Sequence, residues 1–409
     1  MYSPIERERM SSVALFNLIL LNAISLQTVP QGTDAPTQVR LSYGADPLRE
    51  MKVMWQTAKP TASRVVHYGK TEAMEEMAVG HRPTYAHETG ALAEVELTNL
   101  QPGTKYFYKV GDQVGGWSKM FTFRTAQSNP KSFTFTAYGD HGVTKEAAIN
   151  VQNVLKENPA FHLLLGDISY ANGDQPIWDR YLDQVEPMTS TIPYMIALGN
   201  HENERIKVGE KEVRIGYEST TARFAMPGFE SWYTFDYGKA RFISINSDDY
   251  RDLVQLEWFE KQLALARRNR NVEWLIVMNH HPAYGTSKGR GNNEGIIKTF
   301  VPLFDKYRVD LVLSGHDHHY ERQFPLRAGK ITSKDRSKYV KGDGTLYLVQ
   351  GGGGRSSYEF TDPQPEMCAY REMTNGYTKV TVHRGGPLLI ESKRLDGSLV
   401  EKIGILPKR

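Results

Sequence analysis

At 409 residues, 40% hydrophobic and 24% charged, the chain has the make-up of an ordinary globular protein long enough for two domains. A formal net charge of +3 without a Lys/Arg block argues against a nucleic-acid partner. The single cysteine, Cys368, excludes an intrachain disulfide and reads as a buried thiol.

Arg7 and Arg9 precede the apolar run Val13–Ile24, and Ala23-x-Ser25 supplies a small-residue cleavage pattern. Residues 1–27 are therefore expected to be a secretory signal peptide, which implies a secreted or periplasmic protein. Glu6 and Glu8 offset the leading charge, and Asn17 and Asn22 interrupt the run. The run is too short for a comfortable membrane span, and no membrane association is expected. Residues 28–37, rich in Pro, Gly and Thr, read as a linker.

Residues 38–126 read as an all-β sandwich. Short alternating segments at 39–43, 51–55, 64–68, 93–97, 106–110 and 119–124 are separated by turn signals such as Asp46-Pro47, Lys59-Pro60 and Pro102-Gly103. Leu100-x-Pro102-x-Thr104-x-Tyr106-x-Tyr108 resembles the tyrosine corner of fibronectin type III domains. Nothing in this module points to catalysis.

The composition shifts at 126–130, and residues 130–409 read as an α/β domain. Strands at 132–138, 162–165 and 192–198 alternate with helices at 144–158 and 175–186, a β-α-β-α-β pattern. A hairpin follows around Tyr237-Gly238-Lys239. A helix over 253–268 carries an apolar stripe of Leu253, Leu256, Phe259, Leu263 and Leu265. Buried strands at 274–278 and 309–313 flank a helix over 295–307. Segments at 345–350, 377–383, 388–395 and 399–405 read as strands of a second sheet.

Polar groups gather where five of these strands end. The ends carry Asp140; Asp167 with Tyr170; Asn200 with His201; His280; and His316 with His318. A lone Asp or His in a turn is ordinarily structural. Ligand-type side chains at the carboxyl ends of successive strands point to one metal site. Carboxylate, imidazole, amide and phenol without thiolate suit iron, zinc or manganese. Asp167 is the best candidate bridge between two cations, and paired cations are a recurring device for phosphate ester hydrolysis.

The blocks Gly139-Asp140-His141-Gly142, Gly166-Asp167-Ile168-Ser169-Tyr170, Gly199-Asn200-His201-Glu202, Val277-Met278-Asn279-His280 and Gly315-His316-Asp317-His318 resemble those of purple acid phosphatases, in the calcineurin-like metallophosphoesterase superfamily. The resemblance runs from about Pro36 to the C-terminus, and larger members carry such a sandwich in front. It implies that Asp140, Tyr170 and His318 hold a ferric ion. Asn200, His280 and His316 would hold a divalent ion (iron, zinc or manganese), and Asp167 would bridge the two. It also implies a visible tyrosinate band.

The expected reaction is hydrolysis of small phosphate monoesters, of broad specificity, by in-line attack of a metal-generated hydroxide. His201 would bind the phosphoryl group or protonate the leaving oxygen, with Asn200 beside it. Plant members place a His pair shortly after the VxxH histidine, whereas this chain has Gly285–Asn293 there. Lys288 or Arg290 is expected to bind phosphate instead, although neither is a good proton donor near neutral pH. His141, His281 and His319 read as supporting or structural residues, with His281 and His319 as alternative proton donors. Glu321 and Arg322 are expected to pair with each other. The run Gly351–Gly354 lacks the following helix and Lys-Ser/Thr of a phosphate loop. A phosphodiesterase on the same frame is the alternative activity, and a non-catalytic binding protein the alternative class.

Overall fold

The computed structural model describes residues 35–408. The expected signal peptide, and the linker up to residue 34, lie outside the described residues. None of the described helices is long and apolar enough to cross a membrane.

The first module is all-β. One sheet orders Thr37–Tyr43, Met51–Thr57 and Ala91–Leu97. The other orders Glu76–Val79, Val65–Gly69, Lys105–Asp112 and Gly116–Trp117, with Phe121–Arg124 also on Lys105–Asp112. The backbone N–H of Gln101 donates to the Tyr106 hydroxyl at 2.9 Å, as a tyrosine corner requires. The shift at 126–130 changes the strand pattern but does not interrupt the core. Val39, Trp55 and Tyr108 share one buried cluster with Phe135, Trp178 and Tyr194. Tyr108 donates to Ser190 O at 2.7 Å, and Gln56 Nε2 to Asp179 Oδ1 at 2.9 Å.

The second module has two seven-stranded sheets. The first runs Tyr194–Ile196, Phe161–Leu164, Ser132–Tyr138, Gly376–His383, Leu388–Arg394, Leu399–Leu406, Lys338–Val340. The second runs Tyr233–Tyr237, Ala240–Ser244, Trp274–Asn279, Leu311–Ser314, Leu346–Gln350, Tyr320–Gln323, Cys368–Glu372. The strand read at 345–350 thus belongs beside Leu311–Ser314, in parallel, and not with the C-terminal meander. Each sheet has a parallel core of near-continuously buried strands.

Local sequence explains most element ends. Thr144 Oγ1 accepts from Ala147 N at 3.1 Å to start helix Lys145–Glu157, and Asn158 ends it at φ 47°. Helix Gln175–Thr189 runs one turn past its expected end and tolerates Pro187 near its terminus. The expected 295–307 helix is two short ones, Glu294–Thr299 and Val301–Lys306, broken where Pro302 cannot donate. Helix Leu253–Arg268 has the expected bounds but a rotated stripe: Gln255, Phe259, Leu263 and Ala266 are buried, while Leu253 is 78% exposed and Leu265 44%. Gln255 is drawn inside because its amide bonds Asn246 through both ends, Nε2 to Asn246 O at 3.0 Å and Oε1 from Asn246 N at 2.6 Å. The hairpin Glu204–Val208/Lys211–Gly216 was not foreseen, since charges crowd its alternating Ile and Val.

One ion cluster fastens the first helix to the C-terminal meander. Glu157 meets Lys379 at 2.7 Å, Lys393, and the Tyr377 hydroxyl at 2.8 Å. Burial pushes this carboxyl up, but the two ammonium groups and the phenol outweigh it and bring its pKa to about 2. A depressed carboxylate stabilises the fold above its ordinary pKa near 4.5, and that stability is lost as pH falls toward 2. Allowing for solvent screening, Glu157→Gln is expected to cost about 1 kcal/mol at pH 7. The difference should shrink through pH 4.5–2, read by urea unfolding across that range.

Candidate metal centre

The parallel strands of both sheets run toward the same place. Strands Ser132–Tyr138, Phe161–Leu164 and Tyr194–Ile196 deliver Asp140, Asp167 and Asn200 from one sheet. Strands Trp274–Asn279 and Leu311–Ser314 deliver His280 and His316 from the other. The loops are stitched together by backbone bonds: Asp140 N to Gly166 O at 3.0 Å, Gly315 N to His280 O at 3.0 Å, and Gly139 N to Gln350 O at 2.8 Å.

The side chains converge tightly. One ligand atom each from Asp140, Asp167 and His280 lies within 4.8 Å of the others, and those of His280, His281 and His316 do likewise. The Tyr170 hydroxyl is 3.1 Å from Asp140 Oδ1 and 3.0 Å from His318 Nε2. His318 Nε2 is 3.3 Å from Asp140 Oδ1. His280 Nε2 is 3.2 Å from Asp167 Oδ1 and 3.1 Å from His316 Nδ1. Asn200 Oδ1 is buried with no hydrogen-bond partner. Asp140, Asp167, Tyr170 and His316 all have left-handed backbones, at φ 60°, 50°, 58° and 69°. Each such residue costs about 1–2 kcal/mol, strain typical of functional sites.

The neighbours orient these groups. His280 Nδ1 donates to Leu165 O at 2.9 Å and His318 Nδ1 to Ser356 O at 3.0 Å, so each turns Nε2 into the cluster. Glu202 accepts from Asp167 N, Ile168 N and Gly199 N, each at 2.8 Å, and ties two of the loops together. Burial and the Asp167 carboxylate push its pKa up to about 8. Burial opposes charge on His280, yet Asp167 and Asp140 raise its pKa to about 10. Burial likewise works against Asp167, but His280 and His201 hold it below the usual carboxylate range. His280 and Asp167 thus hold opposite charges against each other, while burial and His280 push the neighbouring His316 imidazole toward its neutral form. Two carboxylates, three imidazoles, a phenol and an unpartnered amide oxygen, without thiolate, fit hard or borderline cations such as iron, zinc or manganese.

The remaining expected residues divide. His201 stands at the rim, Nε2 3.7 Å from Asp167 Oδ2 and Nδ1 2.6 Å from Asn172 Oδ1. Arg290 reaches the cluster: Nη1 lies 2.6 Å from His316 Nε2, and its guanidinium stacks on Tyr358 at 4.5 Å. Lys288 does not. Its ammonium pairs with Glu359 at 2.8 Å and is 69% exposed. His141 and His319 are fully buried, bonded to Gly142 O and Glu321. His281 packs 4.4 Å from the His316 ring and is bonded to Ser247.

The expected Glu321–Arg322 pair is not made. Adjacent strand residues face opposite ways. Glu321 accepts from Thr286 Oγ1 at 2.7 Å, while Arg322 pairs with Glu401 at 2.6 Å. Residues given no role at first are Glu202, Asn172, Tyr358 and Arg355. Glu202 accepts from Gly199 N at 2.8 Å, but Gly199 has no side chain to complete a capping box, so Gly-x-x-Glu gives no sequence signal for it. A separate cleft of about 520 Å³, lined by Arg267, Trp274 and Lys341, lies at the opposite, amino-terminal ends of the strands.

Two parallel-core sheets with such ligands at their carboxyl ends define a metallophosphoesterase. Residues 133–320 match the calcineurin-like phosphoesterase family model. Residues 36–125 match the purple acid phosphatase N-terminal domain, and residues 344–401 the iron/zinc purple acid phosphatase-like protein C. The chain is 30% identical to human acid phosphatase type 7, over 95% of each. It is 30% identical to "Probable inactive purple acid phosphatase 1" of Arabidopsis thaliana, over 94% of this chain and 72% of that one. A solved purple acid phosphatase from yellow lupin (Lupinus luteus) seeds aligns with TM-score 0.81 and 25% identity, over 92% of this chain and 75% of that one. The chain belongs to the purple acid phosphatase family and is a metallophosphatase.

Proposed function

We propose that the protein hydrolyses small phosphate monoesters, with broad specificity, at a binuclear centre. In this reading Asp140, Tyr170 and His318 hold ferric iron, Asn200, His280 and His316 hold iron, zinc or manganese in the divalent state, and Asp167 bridges them. When bound, such a pair supplies charge to the phosphoryl group and an acidified water as nucleophile. The observation that carries the reading is the convergence of Asp140, Tyr170 and His318 on one point, at 3.0–3.3 Å. Asp167 and His280 lie alongside, and Asn200 presents an unpartnered oxygen.

The chain's own residues do the rest. Asn172 holds His201 Nδ1, which turns Nε2 toward the cluster, where it binds the phosphoryl group and faces the leaving oxygen. Arg290 offers a fixed cation at the other rim, in place of the plant histidine pair. Lys288, tied to Glu359, secures the loop that carries Arg290.

The test is a visible spectrum and metal analysis of the loaded protein, with hydrolysis of p-nitrophenyl phosphate and bis(p-nitrophenyl) phosphate. A visible band that Tyr170→Phe abolishes, with the monoester cleaved faster, is the expected result. A colourless protein holding two zinc or manganese ions would remove Tyr170 from the ferric role, and faster diester cleavage would make it a phosphodiesterase.

A further inference from the structure

The glycine run Gly351–Gly354 is not a phosphate loop, but it has another task. It leaves strand Leu346–Gln350 and threads between the loops that carry the candidate ligands. Gly351 N donates to His319 O at 3.1 Å and Gly353 N to Gly139 O at 2.9 Å. A Cβ at Gly351, Gly353 or Gly354 would lie 2.1, 2.2 or 2.5 Å from the carbonyl oxygens of Asp317, Gly139 and His141. Only hydrogen fits there, so close approach of backbones explains these glycines.

The thread ends by delivering Arg355. Its backbone N–H donates to Asp140 O at 3.2 Å, fixing it to the loop that carries Asp140. Its guanidinium carbon lies 4.3 Å from the centre of the Tyr170 ring. Gly142 makes room: a Cβ there would lie 3.1 Å from Arg355 Cδ and 3.4 Å from Tyr170 Cδ2. The buried Nε of Arg355 has no hydrogen-bond partner, and among the described residues no carboxylate is within ion-pair distance of it. The guanidinium lies over the Tyr170 ring, and its charge is also felt by His201 at the rim.

We propose that Arg355 is a positioning residue for Tyr170, whose guanidinium stabilises negative charge on that ring when the phenolate binds ferric iron. The proposal rests on the assignment of Tyr170 made above. A cation on a ring face attracts its electrons, and more strongly when the ring is anionic and shielded from water. The visible transition of an iron–phenolate moves electron density from ring to metal. A nearby cation holds that density on the ring, so the transition costs more energy and the band lies at shorter wavelength. At 4.3 Å and an effective dielectric constant of about 20, removing the charge moves the band to longer wavelength by roughly 10–30 nm.

The experiment compares visible spectra of the iron- and zinc-loaded full chain as wild type, Arg355→Met, Arg355→Gln and Arg355→Lys, at matched iron content. The expected result is a shift to longer wavelength in the Met and Gln variants, largely restored in the Lys variant. The Gln variant keeps a polar head of similar reach, so the comparison stands should the Met variant fail to fold. A band at the wild-type wavelength in an iron-replete neutral variant overturns the proposal. So does an equal shift in the Lys variant, which would assign the effect to shape and not charge. A wild type that takes up metal and stays colourless overturns the Tyr170 assignment itself, and is seen before any variant is compared.

Discussion

Asp167→Asn is expected to lower phosphate ester hydrolysis on the order of 10³-fold, about 4 kcal/mol of transition-state stabilisation. Asp167 is the carboxylate proposed above to bridge the two ions, and it lies with Asp140 and His280 in one cluster. Its Oδ1 is 3.2 Å from His280 Nε2, and the same oxygen accepts from His201 N at 3.0 Å. Asparagine keeps the shape and the bond from His201 but removes the charge, so an effect of this size reports on charge and not on folding. Metal analysis should show less than two ions per chain. Wild-type turnover by a variant with full metal content would mean that Asp167 does not bridge, and the binuclear reading would fail with it.

Glu401→Ala is expected to destabilise the fold by about 3–5 kcal/mol, because it leaves a buried guanidinium without its carboxylate. Arg322 is 1% exposed and grips both Glu401 oxygens, at 2.6 and 2.8 Å; Tyr320 donates to the same carboxylate at 2.6 Å. Glu401 sits on strand Leu399–Leu406 of the first sheet and Arg322 on strand Tyr320–Gln323 of the second. The pair is thus a clasp between the sheets whose loops form the centre. Arg322→Met should rescue much of the loss in the double variant, since a neutral side chain of similar length needs no partner. A urea midpoint lowered equally in the Glu401→Ala single and double variants would show that the carboxylate acts through Tyr320 and not through Arg322.

The candidate centre was largely legible in the sequence, for a reason that has little to do with any single residue. Parallel strands read as short apolar runs, and ligands gather at their carboxyl ends. Asp140, Asp167, Asn200, His280 and His316 each follow such a run closely. The partners that orient them were not legible. Glu202, Asn172, Tyr358 and Arg355 carry no periodic signal, and their roles depend on contacts with residues far away in the chain, such as Arg355 on Tyr170. Lys288 and Arg290 show the same limit at close range. Two residues apart on one loop, one reaches His316 and the other turns away to Glu359. On helix Leu253–Arg268 apolar spacing points to the wrong stripe, because the Gln255–Asn246 bonds rotate the buried face.

By itself the sequence determined the two modules, the order of strands and helices, and the chemical kind of ligand at each strand end. These follow from local periodicity, turn chemistry and the donor atoms each side chain carries, none of which requires a distant partner. A second sheet is expected from the sequence, but only the tertiary structure decided its membership, with Leu346–Gln350 beside Leu311–Ser314 and the C-terminal meander not in a second sheet but beside Ser132–Tyr138 in the first. Only the tertiary structure brought Asp140 and Asp167 from one sheet within reach of His280 from the other. It also separated Glu321 from Arg322, though they are neighbours in the chain. The physical reason is shared. Pairing between strands and the facing of side chains are settled by burial and hydrogen bonding across long sequence separations, where local preference is silent.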